Sequence, residues 1–367
     1  DLGKTVHKLA RQNHAVAVVG AASGWTPDGL KTYMALNATR PSGLSTAQTI
    51  EAFAAGFGTA AEPVLAYLEF WQQHYRDRLR KNLKALECLP APLALSEFHR
   101  LVPSRFAAAD FEAAGQILTD AMTRDRLDWR TRGRLEELAL AHYHAELIFR
   151  CTTGLDALTE SPEALGDVLK WLTQLHALRR DFAPRLNGIE TLARREALAG
   201  DVTGKALLSH LTSASVLTPM PATWRTRAVP EVGSPDAGWW SIQEVDQLAS
   251  WDASTARLAN RPAAAAGGMQ SSRRLWACYV AVPPEQVDEG GVTFLFWGVR
   301  GAFKLYVNGL ALGSVGAAGI GGAQAVDVPA TYWRRGGRQL VAVEGVAADQ
   351  GLWRAAWMVR NLEDGEP

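Results

Sequence analysis

The chain has 367 residues, 47% hydrophobic and 21% charged, which suits an ordinary globular protein of two or three domains with ample core. Lysine plus arginine and aspartate plus glutamate both total 38, so the formal net charge is zero; no long basic run exists, and nucleic acid is excluded as the expected partner. No apolar run approaches the roughly 20 residues that cross a bilayer, so no membrane is expected either, and no secretory signal opens the chain.

Lys4 to Gln12 has helical character, Ala15 to Val19 is a short run of β-branched and small apolar residues, Gly20 to Gly29 is glycine-rich, and a helix is expected from Leu30 to Ala38. A lone parallel strand between helices leaves both edges and both faces without partners, so residues 1–43 are expected to be the last β/α unit of a larger sheet. From Ser45 to about Ser213 the periodicity is helical. Ser45/Gln48 and Thr59/Glu62 both have capping-box spacing, placing helix starts near Thr46 and Ala60. The second helix carries Tyr67, Trp71, Tyr75 and Leu79 in four-residue steps on one face. Pro90, Pro92 and Pro103 interrupt it. Further helices are expected over Ala108–Arg124, Trp129–Thr152, Pro162–Phe182 and Ile189–Ala199. No solenoid period is visible, so residues 44–215 read as an irregular helical domain.

Thr212 to Pro221 reads as a linker, and from Thr223 the pattern changes to strand period. The clearest β signal is Val292 to Gly313: strands Val292–Val299 and Phe303–Val307, an Asn308-Gly309 turn, and a third strand Leu310–Leu312. Asn-Gly tolerates the positive φ angles of a tight hairpin. Residues 216–367 are therefore expected to form a β-structure, with Ala263–Gly268 and Gly316–Gly322 as low-complexity loops.

Several fragments of this third occur in the order found in the sugar-binding β-sandwich of family-two glycoside hydrolases, the β-galactosidases and β-glucuronidases, which it resembles. They are Trp240-Ser-Ile242, Trp276 to Pro283, Phe294 to Val299, Val307-Asn308-Gly309, Leu312-Gly313, Val326-Asp327-Val328, Gly336 to Val341 and Gly351 to Arg354. Gly336 to Val341 stands where that family usually writes a Gly-Glu-Asn turn before a Leu-Ala-Val strand. Residues 15 to 90 resemble the end of an α-glucuronidase-like (β/α)8 barrel and the helices after it. The resemblance implies an α+β multidomain chain: a barrel remnant, an irregular α-helical domain, and a jelly-roll or galactose-binding-like antiparallel β-sandwich. It also implies carbohydrate as partner, with an upstream barrel domain or a second copy as protein partners, and an extracellular or periplasmic location.

A glycosidase needs two carboxylates about 5 to 9.5 Å apart, and in a barrel they come from several strands. Asp28 is the one carboxylate on the expected face of residues 1–43, so the catalytic pair is expected outside this chain. Sugars stack their C–H faces on aromatic rings and hydrogen-bond planar polar groups. That chemistry selects Trp25, Ser23 and Asp28 in the first unit, and Trp239, Trp251, Tyr332, Trp333 and Arg354 in the sandwich. The alternative for Trp25 is packing against the next domain, and for the sandwich set a bracing role without binding. Trp240, Trp276, Phe294 and Phe296 sit in strands and are expected in the core. No cofactor is expected. His142 and His144, two apart on a helix, face different ways and cannot share a metal, and His142 with Glu146 reads as structural. Cys88, Cys151 and Cys278 are scattered and read as small buried hydrophobes, not a disulfide or zinc set. Two other readings stay open: a non-catalytic, lectin-like carbohydrate-binding protein, and a structural protein whose helices dock a partner.

Overall fold

A computed structural model describes residues 30, 33, 34, 44–87, 104–124, 126–182, 205–212, 214, 216–221, 223–228, 252–254, 272–282, 292–299, 302–315, 323–334, 338–347, 353 and 355–360. The expected strand Ala15–Val19, the helix Ile189–Ala199, both low-complexity loops and Cys88 lie outside these residues. Six α-helices are described: α1 (Thr46–Ala55), α2 (Ala61–Glu87), α3 (Ala108–Met122), α4 (Trp129–Ala157), α5 (Leu165–Phe182) and α6 (Lys205–Thr212). Ten strands follow: β1 (Val216–Pro219), β2 (Trp224–Ala228), β3 (Asp252–Ser254), β4 (Ser272–Ala281), β5 (Val292–Trp297), β6 (Phe303–Val307), β7 (Leu310–Val315), β8 (Ala323–Val328), β9 (Arg338–Ala347) and β10 (Ala355–Arg360).

The chain divides into two compact units. The first comprises Asp1–Lys81, Arg105–Phe149 and Gln174–Leu192, and the second Asn82–Ser104, Arg150–Thr173 and Ala193–Pro367. Residues of α4 and of α5 belong to both units.

In the first unit, α1 opens on the Ser45/Gln48 capping box, with Ser45 Oγ accepting from the Gln48 N–H and the Gln48 side chain accepting from the Ser45 N–H. The second proposed box is corrected. Thr59 lies inside a 3-10 turn, Gly58–Ala60, that leads directly into α2, so it is no N-cap. Gly58 adopts φ +55, and a Cβ there would sit 3.3 Å from Thr131 Oγ1. Phe53, Phe57, Val64 and Leu135 form one apolar cluster, against which Leu30 and Tyr33 of the expected Leu30–Ala38 helix pack. Tyr67, Ala114 and Leu118 form a second, with Trp71 and Phe70 at its margin.

In the second unit two antiparallel sheets pack face to face. One has the order β1-β10-β5-β8 and the other β3-β2-β4-β9-β6-β7. Alternation with period two explains the six-stranded sheet. Trp276, Cys278, Val280, Val341 and Val343 enter the core between the sheets, whereas Leu275, Ala277, Leu340 and Ala342 make a smaller cluster on the opposite face. The four-stranded sheet departs from alternation, since every residue of β5 and β10 is buried. Its second face is covered by helical residues: Trp357 Nε1 donates to the Leu158 carbonyl after α4 at 3.4 Å, and α6 packs on β5 and β8. Continuous apolar strands such as Val-Thr-Phe-Leu-Phe-Trp are what burial on both faces demands.

Several expected bounds shift. The presumed linker contains β1, an edge strand in register with β10 from Val216↔Arg360 to Pro219↔Trp357. Strand β7 continues past Leu312 to Val315, helix α4 past Thr152 to Ala157, and Pro162 opens a 3-10 turn ahead of α5. Strand β5 stops at Trp297 because Gly298 turns to φ +65.

Candidate functional site

The β6–β7 hairpin is closed by Asn308 at φ +50 and Gly309 at φ +87, the double positive turn that the Asn-Gly pair favours. The side chain of Asn308 then does more than permit the turn. Its amide donates to the Tyr332 carbonyl at 2.8 Å and to Gln339 Oε1 at 2.7 Å, and its Oδ1 accepts from the Leu340 N–H at 3.0 Å. Gln339, 0% exposed, completes the set: its Oε1 accepts from the Arg334 N–H at 3.0 Å and its Nε2 donates to the Arg334 carbonyl at 2.9 Å. A bulge between Leu305 and Tyr306 adjusts the register beside it. This polar clasp pins the segment Ala330–Arg334 to the start of β9. The amide at position 339 supplies both the acceptor and the donor that the clasp uses.

The sequence-selected residues fall as follows. Trp25, Ser23, Asp28, Trp239, Trp251 and Arg354 lie outside the described residues, as does Trp240. Tyr332 is half-buried at the clasp, with its hydroxyl donating to the Ala311 carbonyl at 3.2 Å. Trp333 is only 7% exposed and stands edge-on to Phe294, 5.9 Å between centroids, so protein occupies its ring. Trp276, Phe294 and Phe296 are in the core as expected. Trp353 packs among them, its ring centroid 5.0 to 5.4 Å from those of Trp224, Phe296 and Phe303. Sequence reasoning marked Asn308 as a turn residue only. The paired amides at 308 and 339 were the available signal for the clasp.

On the other face of the six-stranded sheet, the Tyr306 hydroxyl donates to Glu344 Oε2 at 3.0 Å, and the carboxylate is buried. In the helical unit, His142 has both ring nitrogens engaged. Nε2 donates to the Phe111 carbonyl at 2.9 Å, which leaves Nδ1 to accept from the Tyr67 hydroxyl at 3.3 Å. Burial lowers its pKa, with Glu146 opposing, and burial raises that of Tyr67. His144 has a different partner: its Nε2 accepts from Arg179 Nε at 3.1 Å. Burial first, and the Arg179 charge second, push its pKa down to about 3. No cluster of three or more His, Cys, Asp or Glu able to hold a metal occurs among the described residues. Cys151 and Cys278 are both buried, and burial pushes the Cys278 thiol well up.

No family model matches the chain, and no curated protein does. Among solved structures it is similar to a Bifidobacterium dentium β-glucuronidase complexed with coumarin-3-O-glucuronide, at 18% identity and a TM-score of 0.29, covering 36% of this chain and 20% of that one. It is also similar to a Ruminococcus gnavus β-glucuronidase, at 14% identity and a TM-score of 0.33, covering 41% of this chain and 29% of that one. The chain thus spans less than a third of either enzyme's length.

Proposed function

We propose that this chain is the C-terminal portion of a glycoside-hydrolase-like protein. Its β-sandwich is an accessory module that braces a carbohydrate-binding cleft, and the catalytic carboxylates come from outside this chain. The observation that carries the bracing role is where the sandwich keeps its aromatic rings. Trp224, Phe294, Phe296, Phe303 and Trp353 are packed between the sheets, and Trp297 and Trp357 are buried as well. Among the described residues of the sandwich no large aromatic side chain is exposed, whereas a lectin-like module presents rings to its ligand. The ordered sequence fragments support the glycosidase affiliation. Of the described carboxylates of the sandwich, Asp327 and Glu344 are tied to Thr293 and Tyr306, and Asp252 is exposed on the edge strand β3. Tyr332, half-buried at the clasp, is the described residue that a lectin-like module would use for sugar contact.

Aryl-glycoside hydrolysis tests this reading, assayed for the 367-residue chain and for a product extended through coding sequence on its N-terminal side. Turnover by the extended product alone is expected. Turnover by the 367 residues contradicts the external carboxylates, and no turnover by either removes the glycosidase reading. Retention of the 367-residue chain on neutral glycans, lost on Tyr332→Ala, favours the lectin-like alternative.

A further inference from the structure

The connection from α3 to α4 and the first turn of α4 read Thr-Arg-Asp-Arg-Leu-Asp-Trp-Arg-Thr-Arg-Gly-Arg over residues 123–134, five arginines against two aspartates in a chain of zero net charge. Arg124, Arg126, Arg130, Arg132 and Arg134 are all exposed. Asp128 is engaged by the helix itself. Its carboxylate accepts from the Thr131 hydroxyl at 2.6 Å and from the N–H groups of Arg130 and Thr131 at 2.9 and 3.0 Å.

In the middle stands Trp129, 78% exposed, far more than any other large apolar side chain described. Packing gives no reason for an indole left in water. The Arg130 guanidinium carbon lies 5.2 Å from its ring centroid, a cation–π arrangement that holds both groups in place. With 3.6 residues per turn, Arg130 and Arg132 flank Trp129 on either side, and residue 133, one turn on, lies directly beside it. Residue 133 is glycine, and a Cβ there meets nothing within 4 Å, so the space beside the indole is open. Glu136 and Glu137 come about 10 Å further along the axis and bound the surface there. Arg126, in the turn just before the helix, adopts φ +66, a left-handed conformation costly for a side chain of this kind and often kept at functional positions.

A ligand that suits this surface has an apolar ring face for the indole and anionic groups for the planar guanidinium forks. We propose that Trp129 with Arg126, Arg130 and Arg132 binds an anionic polysaccharide, one pyranose ring against the indole and its carboxylate or sulfate groups on the arginines. A single aromatic shelf fits one sugar ring, whereas single-stranded nucleic acid is held by successive aromatic platforms. The proposal shares only its ligand class with the carbohydrate reading above, and its test reads binding, not hydrolysis, so either can fail alone.

The full chain is passed over immobilised polygalacturonate, dextran sulfate, neutral dextran and a single-stranded oligodeoxynucleotide. Binding to polygalacturonate or dextran sulfate, weakening with salt, is expected, and their ranking tells carboxylate from sulfate. No binding to dextran is expected. Trp129→Ala and the double change Arg130→Ala/Arg132→Ala should each weaken binding roughly tenfold with the Tm unchanged, since these side chains are exposed. The proposal is overturned if neither anionic polysaccharide binds, if Trp129→Ala binds like the parent, or if the oligodeoxynucleotide binds as tightly as the better polysaccharide.

Discussion

Asn308 shows how much one side chain can hold. Replacing it by alanine removes three hydrogen bonds, takes one of the two donors from the wholly buried Gln339 Oε1, and strains the φ +50 backbone. Asn308→Ala is expected to cost about 2 kcal/mol, read as a lower midpoint in chemical denaturation. Asn308→Gly should recover only the backbone part. His144 makes a prediction about pH. Its folded pKa of about 3 lies below the unfolded value near 6.5, so the unfolded state binds the extra proton as pH falls. Stability is therefore full above pH 6.5 and declines below it, by about 2 kcal/mol at pH 5 from this group. His144→Gln keeps an acceptor for Arg179 and should flatten the fall in Tm between pH 7 and 5. An unchanged pH profile would show that His144 is not the cause. A further loss belongs to lower pH. Although burial alone would raise the Asp110 pKa, its hydrogen bonds to Arg78 and the Ala107 N–H outweigh it and hold the carboxyl below its ordinary value. That contribution is present above about pH 4 and disappears as pH falls further.

At the scale of elements, two glycines of α4 separate helix propensity from packing. A Cβ on Gly154 would lie 2.7 Å from Val168 Cγ2 and 2.9 Å from the Trp171 ring on α5, closer than real contacts allow. Alanine gains about 1 kcal/mol of helix propensity, but overpacking costs about 1–3 kcal/mol. Gly154→Ala is expected to lower the Tm, and Gly133→Ala, with open space around it, to raise it. Thermal melts of both single variants decide this; equal shifts would mean that α4 and α5 are not held this closely. The helices were legible in the sequence because capping chemistry and apolar periodicity are local. Ser45 and Gln48 carry their own geometry within four residues. Thr59 and Glu62 have the same spacing, yet Gly58 and the adjoining Thr131 draw that segment into a 3-10 turn. The sequence shows the spacing but not the neighbour 73 positions away.

In the whole molecule, the sandwich depends on aromatic rings shared between its sheets. Trp353→Ala removes the ring that Trp224, Phe296 and Phe303 all touch, and should cost about 3–5 kcal/mol. Near-UV circular dichroism, scaled to each protein's own native baseline, should lose its aromatic signal at lower denaturant than in the parent. The strand pattern, the Asn-Gly hairpin and the core positions Trp276, Phe294 and Phe296 were determined by the sequence alone, because period-two alternation and turn chemistry operate between near neighbours. Tertiary structure decided the rest. It paired Asn308 with Gln339, placed β1 in a stretch that reads as linker, and buried one face of β5 and β10 against the other sheet and the second beneath α6 and the residue after α4. Burial depends on what lies opposite a residue in space, and Trp357 meets Leu158 across 199 positions of sequence.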